Sequence, residues 1–312
     1  MATEDLDSRV LSLNLFADDD DEEDILYKRK LQNLIDGTVT PSEAAADFDA
    51  WVVQDANNRL KQLLKRPDPK NLTPEEEAKG MSLRAIAPNA SGSIDLVFPT
   101  IAKLCSAFPP FHPGQDAIVQ FLEALRAMPD HQVPDGIPNG DGDDSHFITL
   151  WPFGDDWMAL TEIFRREAED IETPGSETQV RWRNFQSAIA RITTLGLINC
   201  GFLSALGDIM PSSSTYPDLE KRKIGGPNRV SGDAIAAAQW IMWPDEGRFV
   251  YQQCKKLNET GPRAMWSQER WEVWKEQFAF IAGDERFTPK ARVAAKLSRE
   301  QMIGYEEEDK SV

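Results

Sequence analysis

The sequence predicts an irregular all-α fold, a largely orthogonal bundle of about ten helices around a single aromatic-rich core. Three observations predict it. Apolar residues recur at spacings of three and four in one segment after another, which is the period of a helix face. Helix-start chemistry stands ahead of several of these segments, as in Thr40-Pro41 with Glu43 and Thr73-Pro74 with Glu75-Glu76. Period-two alternation is nearly absent; only His146–Phe153 could form a short strand, and Pro152 weakens it.

The elements follow in order. Residues 1–24 are acidic apart from the patch Val10-Leu11-Ser12-Leu13-Asn14-Leu15-Phe16, and are expected to be a disordered tail. Removing residues 1–22 should then leave thermal stability nearly unchanged. A first helix is expected from about Glu23 to Ile35, stopped at Gly37. A second starts at Thr40 and carries Phe48, Val52, Ala56, Leu60 and Leu63 on one face until Pro67-Asp68-Pro69 ends it. Residues 91–107 read as an apolar helix that Pro99 must kink or break, and Ile118, Phe121, Leu122, Leu125 and Met128 as a stripe ended by Pro129. Two long loops are expected, 129–147 and 211–232, with helical patterns at Asp155–Ile171, around Trp182–Ile192 and at Ile198–Met210 between them. Further helices are expected at Asp233–Trp243, Arg248–Leu257, Gln268–Ile281 and Pro289–Ile303. Trp271, Trp274, Phe278 and Ile281 repeat the three-four-three spacing, so both tryptophans read as core.

The formal charge of −18 is concentrated at the ends, with −9 in residues 1–24, −3 in 305–312 and −6 in the body between them. The expected organisation is an acidic tail at 1–24, one helical domain at 25–304 and an acidic C-terminal tail at 305–312. A near-neutral body argues against broad binding to nucleic acid or anionic membrane. The acidic N-terminus has no basic and apolar signal regions, and no run of about 18 apolar residues exists. Cys105, Cys200 and Cys254 are few, far apart and set among apolar residues, which reads as buried reduced thiol. An intracellular protein is expected, cytoplasmic or nuclear or both.

Asp18–Asp24 contains the D-D-x-x-D pattern that helical terpene synthases use for magnesium diphosphate. The second ligand set fails, because Asn184-Phe185-Gln186-Ser187 reaches Arg191 where a carboxylate is required. Asp141-Gly142-Asp143-Asp144-Ser145-His146 fails as a calcium loop, with His146 at the glycine position and Pro152 at the glutamate position. His112, His131 and His146 belong to no metal or triad motif, and no C-x-x-C, G-x-S-x-G or phosphate-binding loop occurs. No metal and no cofactor are expected. Lys221, Arg222, Lys223 and Arg229 form a glycine-containing basic stretch that could hold an anion, against the plainer reading of a solvated loop. Leu6, Val10, Leu13 and Leu15 match the spacing of a leucine-rich export-like segment that would fold on a receptor. Six of the nine tryptophans fall between Trp182 and Trp274, and a mixed pocket could lie between the helices of Trp182 and Trp240, with Arg191 at its mouth. Arg191, at the edge of an apolar stretch, is expected to clamp a neighbouring carbonyl or carboxylate, with Glu162 and Glu276 as candidates.

Four motifs carry a family resemblance: Trp182-Arg183-Asn184-Phe185 with Ala190-Arg191, Ala236-Ala237-Ala238-Gln239-Trp240-Ile241, Trp271-Glu272-Val273-Trp274-Lys275-Glu276-Gln277-Phe278, and the weaker His112-Pro113-Gly114-Gln115. Over roughly residues 110–285 the chain resembles a mainly ascomycete fungal family of intracellular proteins defined by a domain of unknown function. The resemblance implies an α-helical fold and a fungal source, and it transfers no catalytic residue. One departure is Trp243-Pro244-Asp245-Glu246-Gly247, which allows a helix break where similar sequences run on. The functional expectation is a non-catalytic interaction or regulatory module with a protein partner. The alternative is a small-molecule binder or enzyme using the pocket of Trp182, Arg191 and Trp240.

Overall fold

The computed structural model describes residues 9–130, 132–137, 147–151, 153, 158–171, 176–211, 226–261 and 265–310. It is all-α: twelve α-helices and one two-stranded ribbon occur among these residues. The chain divides into two compact units. One comprises Asn14–Ile101 and Asp116–Trp157, the other Met1–Leu13, Ala102–Gln115 and Met158–Val312.

The first of these begins with α1 (Glu22–Ile35) and α2 (Pro41–Leu63), both closed by capping boxes. Asp21 accepts from the Asp24 amide at 2.9 Å, so part of the acidic run caps a helix. Asp20 pairs with Lys28 of the same helix. Thr40 and Glu43 exchange the same reciprocal bonds at the head of α2. Phe48, Val52, Ala56 and Leu63 are buried on one face of α2, and Phe48 meets Phe121 edge-on at 5.3 Å. The short α3 (Pro74–Ala78) and α4 (Leu83–Ile86) lead to α5 (Ala90–Ala107). Pro99 lies inside α5 without ending it; residue 95, whose carbonyl the proline ring leaves unbonded, is exposed to water. After α6 (Pro113–Arg126), β1 (Gln132–Pro134) pairs antiparallel with β2 (Phe147–Thr149), the latter within the expected strand. Trp151, at φ +61°, donates its indole N–H to Asp49 at 2.7 Å.

The other unit holds α7 (Met158–Ile171), α8 (Ser176–Thr194), α9 (Gly226–Ala238), α10 (Pro244–Leu257), α11 (Gln268–Gly283) and α12 (Pro289–Lys310). α12 lies along α11 and α9, and α8 packs on α9. Trp271, Trp274, Phe278 and Ile281 are buried on α11, as their spacing predicts. Trp266 bridges Trp240 and Trp274 at ring distances of 6.3 Å each. The expected break is present: α9 stops at Ala238, and α10 restarts with Trp243 as N-cap and Pro244 in its first turn. Gly247 is obligatory there, because a Cβ would stand 2.3 Å from the Ile241 carbonyl oxygen and 2.7 Å from the Tyr305 ring. Residues 305–310 of the expected acidic C-terminal tail form the last turns of α12, where Tyr305 is buried.

The N-terminal segment also departs from expectation. Leu11 is 6% exposed, its amide donates to the Ala107 carbonyl at 3.0 Å, and Arg181 donates to the Ser12 carbonyl at 2.7 Å. Leu15 is buried too. The apolar patch therefore has a core role that its acidic flanks disguise. Replacing Leu11 by Ala should cost about 2–4 kcal/mol, the range for truncating a buried leucine. Chemical denaturation checks this, and an unchanged midpoint would show that the segment does not dock.

Candidate functional site

α8 is buried on every side from Trp182 to Ala190, yet four of those residues are Arg183, Asn184, Gln186 and Ser187. Polar side chains removed from water must find partners within the protein. They find them in two hubs. Gln186 accepts from the Trp240 indole at 2.6 Å and the Ala205 amide at 2.9 Å, and donates to the Leu203 carbonyl at 2.8 Å. This joins α8 to the turn after α9 and to the two 3-10 turns at 201–207.

The second hub is Gln115, fully buried in the first turn of α6. Its amide nitrogen donates to the carbonyls of Phe108 and Asn184, each at 3.3 Å. Its oxygen accepts from Arg191 Nη1 at 3.1 Å, Ser187 Oγ at 3.3 Å and the Phe111 amide at 3.4 Å. Asn184 extends the network, donating to the Ser106 carbonyl at 3.0 Å and accepting from the Arg183 guanidinium. Gly114 lets the segment close, since a Cβ would meet the Phe108 ring at 2.3 Å.

Above this hub lies a surface patch. Phe111 has φ +57°, a conformation that bulky side chains rarely adopt, and its ring is 41% exposed. The Arg191 guanidinium sits 4.7 Å from the centre of that ring, and Trp243 meets it edge-on at 4.5 Å. Trp243 is held by a 3.1 Å bond from its indole to Gln239. Glu246, 6% exposed in the first turn of α10, is pushed above its ordinary pKa by burial, which outweighs the attraction of Arg191.

The sequence-derived candidates are distributed as follows. Trp182 stacks on Phe185 at 5.9 Å and Trp240 is fully buried on Gln186. Arg191 is nine residues beyond Trp182, half a revolution around α8, and faces α6 instead. Its clamp is made to the Gln115 amide oxygen, while Glu162 is engaged by Arg165 of its own helix. Arg229 lies on α9 with Asp233 at 3.7 Å; Lys221, Arg222 and Lys223 lie outside the described residues, as do His131, His146 and Asp141–Ser145. Of the export-like set, Val10 is exposed, Leu13 half-buried, Leu15 buried, and Leu6 outside the described residues. His112 accepts from the Gly114 amide at 3.0 Å and stacks on Phe108. Burial pushes the Cys105 and Cys254 thiols up to about 12 and raises Cys200 as well. No group of three His, Cys, Asp or Glu residues arranged to hold a metal ion occurs among the described residues, and no helix there is long and apolar enough to cross a membrane.

Phe111, Gln115, Trp243 and Glu246 escaped the sequence reading as site residues. Gln115 carried a signal as the last residue of the His112-Pro113-Gly114-Gln115 motif, and Trp243 and Glu246 lay in the segment where a helix break was allowed.

The chain belongs to the family described as "Protein of unknown function (DUF3632)", which matches residues 98–278. No curated protein and no solved structure is similar to the chain.

Glu246 generates a signed pH prediction. Its folded pKa lies above the ordinary value of 4.5, so the charged form destabilises the fold above that range and the penalty vanishes below it. Glu246→Gln should raise Tm at pH 7 and lose that advantage as the pH falls through 4.5. A lower Tm at pH 7 would show that attraction to Arg191 dominates.

Proposed function

We propose that the protein is a non-catalytic intracellular interaction module that docks a protein partner on the patch of Phe111, Arg191 and Trp243. The carrying observation is Phe111. An exposed aromatic ring on a left-handed backbone costs on the order of 1–3 kcal/mol, and such strain concentrates where it serves binding. The surrounding residues hold the ring rather than bury it: Gln115 takes its amide, Arg191 lies over its face and Trp243 against its edge. Aromatic and arginine side chains on a fixed support are the usual energetic centre of a protein interface.

Other features support the same reading. The three cysteines are free, buried and held as thiols, in keeping with a reducing compartment and poor nucleophilicity. The polar side chains of α8 spend hydrogen bonds on backbone groups, Gln115 and Trp240, leaving them ill-suited to proton transfer. The alternative pocket between the helices of Trp182 and Trp240 has less support. Trp240 is fully buried on Gln186, and a ligand there would have to break that bond.

The test uses Phe111→Gly, which relaxes the backbone at φ +57° while removing the ring. Its Tm should equal or exceed that of the wild type. Partners captured from the organism's own lysate should fall by about ten-fold or more, the loss expected for a hot-spot residue. Phe202→Ala, at a ring 49% exposed elsewhere, is the control and should retain them. Equal capture by Phe111→Gly would overturn the proposal.

A further inference from the structure

The last turns of α12 present a different chemistry from the patch. Glu306, Glu307, Glu308 and Asp309 stand at the carboxyl end of this 22-residue helix, where the helix dipole is already negative. That placement is unfavourable unless cations offset it. Two clefts adjoin this helix end. One, of about 320 Å³, is lined by Tyr251, Cys254, Lys255, Trp271, Glu306 and Asp309 among others. The second, of about 480 Å³, shares Tyr251, Lys255 and Asp309 with it and continues to Arg248, Tyr305 and Glu308.

The pair Lys255–Asp309 is the partition common to both clefts. Lys255 Nζ reaches both carboxylate oxygens of Asp309, at 2.6 and 2.7 Å, and lies 5.6 Å from the centre of the Tyr251 ring. Behind them Trp271 is fixed by its indole bond to Glu306 at 2.7 Å, and Tyr251 packs against it at 4.9 Å. In the second cleft Arg248 repeats the theme, 5.8 Å from the Tyr305 ring and 3.2 Å from Glu308. A cation over a tyrosine face with a carboxylate behind it therefore occurs twice in one groove.

We propose that this groove binds a guanidinium group, and that Lys255 is a resident cation which the ligand displaces. Three points carry the argument. Asp309 already presents both oxygens to one cation, the geometry that a planar guanidinium meets with two parallel bonds. A guanidinium also stacks on an aromatic face better than a strongly hydrated ammonium does, so exchange favours the incoming group. Lys255 and Asp309 are 41% and 43% exposed, so the lysine can swing into water and merge the two clefts. The acidic helix end then gains a cation without losing a buried one.

The experiment is calorimetric titration of the full chain with a capped Ala-Arg-Ala peptide, its citrulline counterpart and argininamide. The arginine peptide should bind and the uncharged citrulline peptide should not. Lys255→Met empties the position while leaving Asp309 and Tyr251, and should tighten binding by about five-fold or more. Asp309→Asn should weaken it by about ten-fold or more. Tighter binding of the peptide than of argininamide assigns the groove to an arginine carried on a protein, and equal binding assigns it to free guanidinium compounds. Phe111→Gly should bind the peptide like the wild type, which separates this groove from the patch of Phe111, Arg191 and Trp243. Equal affinity for the citrulline peptide, indifference to Asp309→Asn, or no binding by either wild type or Lys255→Met at millimolar concentration would overturn the proposal.

Discussion

The fold of the unit that carries α8 depends on satisfying the amides that this helix takes into its core. An unpartnered buried amide costs about 1–3 kcal/mol, and α8 buries Asn184 and Gln186 beside Arg183 and Ser187. Their positions are tolerable only because each atom has a fixed counterpart. Gln115 is the most heavily used of these counterparts, with five partners on two stretches of chain. Polar groups paired in this way constrain geometry more tightly than apolar packing does, since a shifted neighbour leaves a donor or acceptor bare. The identity of residues around the hub follows from that constraint. Gly114 admits the Phe108 ring, and Arg191 reaches the Gln115 amide oxygen.

The surface patch is a consequence of the same hub. Phe111 gives its amide to Gln115, and this bond helps hold a backbone conformation that the phenylalanine would otherwise avoid. Arg191 links the two levels, with one guanidinium nitrogen on the buried amide and its plane near the exposed ring. Trp243, fixed as the N-cap of α10, closes the far side. A rigid aromatic–arginine surface is thus positioned by atoms in the core, and function and stability share their residues.

Much of this architecture was legible in the sequence, and the exceptions have physical causes. Helix starts at Thr40 and Thr73 could be read because capping is local chemistry. The buried face of α11 could be read because Trp271, Trp274, Phe278 and Ile281 keep a strict helical period. Leu11 could not, since a single extended segment has no period and its docking site lies nearly a hundred residues away at Ala107. Asp21 looked like one more charge in a solvated run, and only the position of α1 makes it a cap. The two-unit division was hidden because α5 and α6 each contribute residues to both units. Arg191 bonds an amide oxygen, a contact that charge-based pairing rules do not nominate. The long-range bonds of Gln115 leave no periodic or compositional trace at all.

The central claim is that Gln115 holds this network together. Equilibrium denaturation of Gln115→Leu tests it most directly, because leucine keeps similar bulk and removes every polar contact. The account predicts a loss of about 3 kcal/mol or more, as the Arg191 guanidinium, the Ser187 hydroxyl and the Phe111 amide lose their common acceptor. A change within about 0.5 kcal/mol, the size of an ordinary surface substitution, would contradict it.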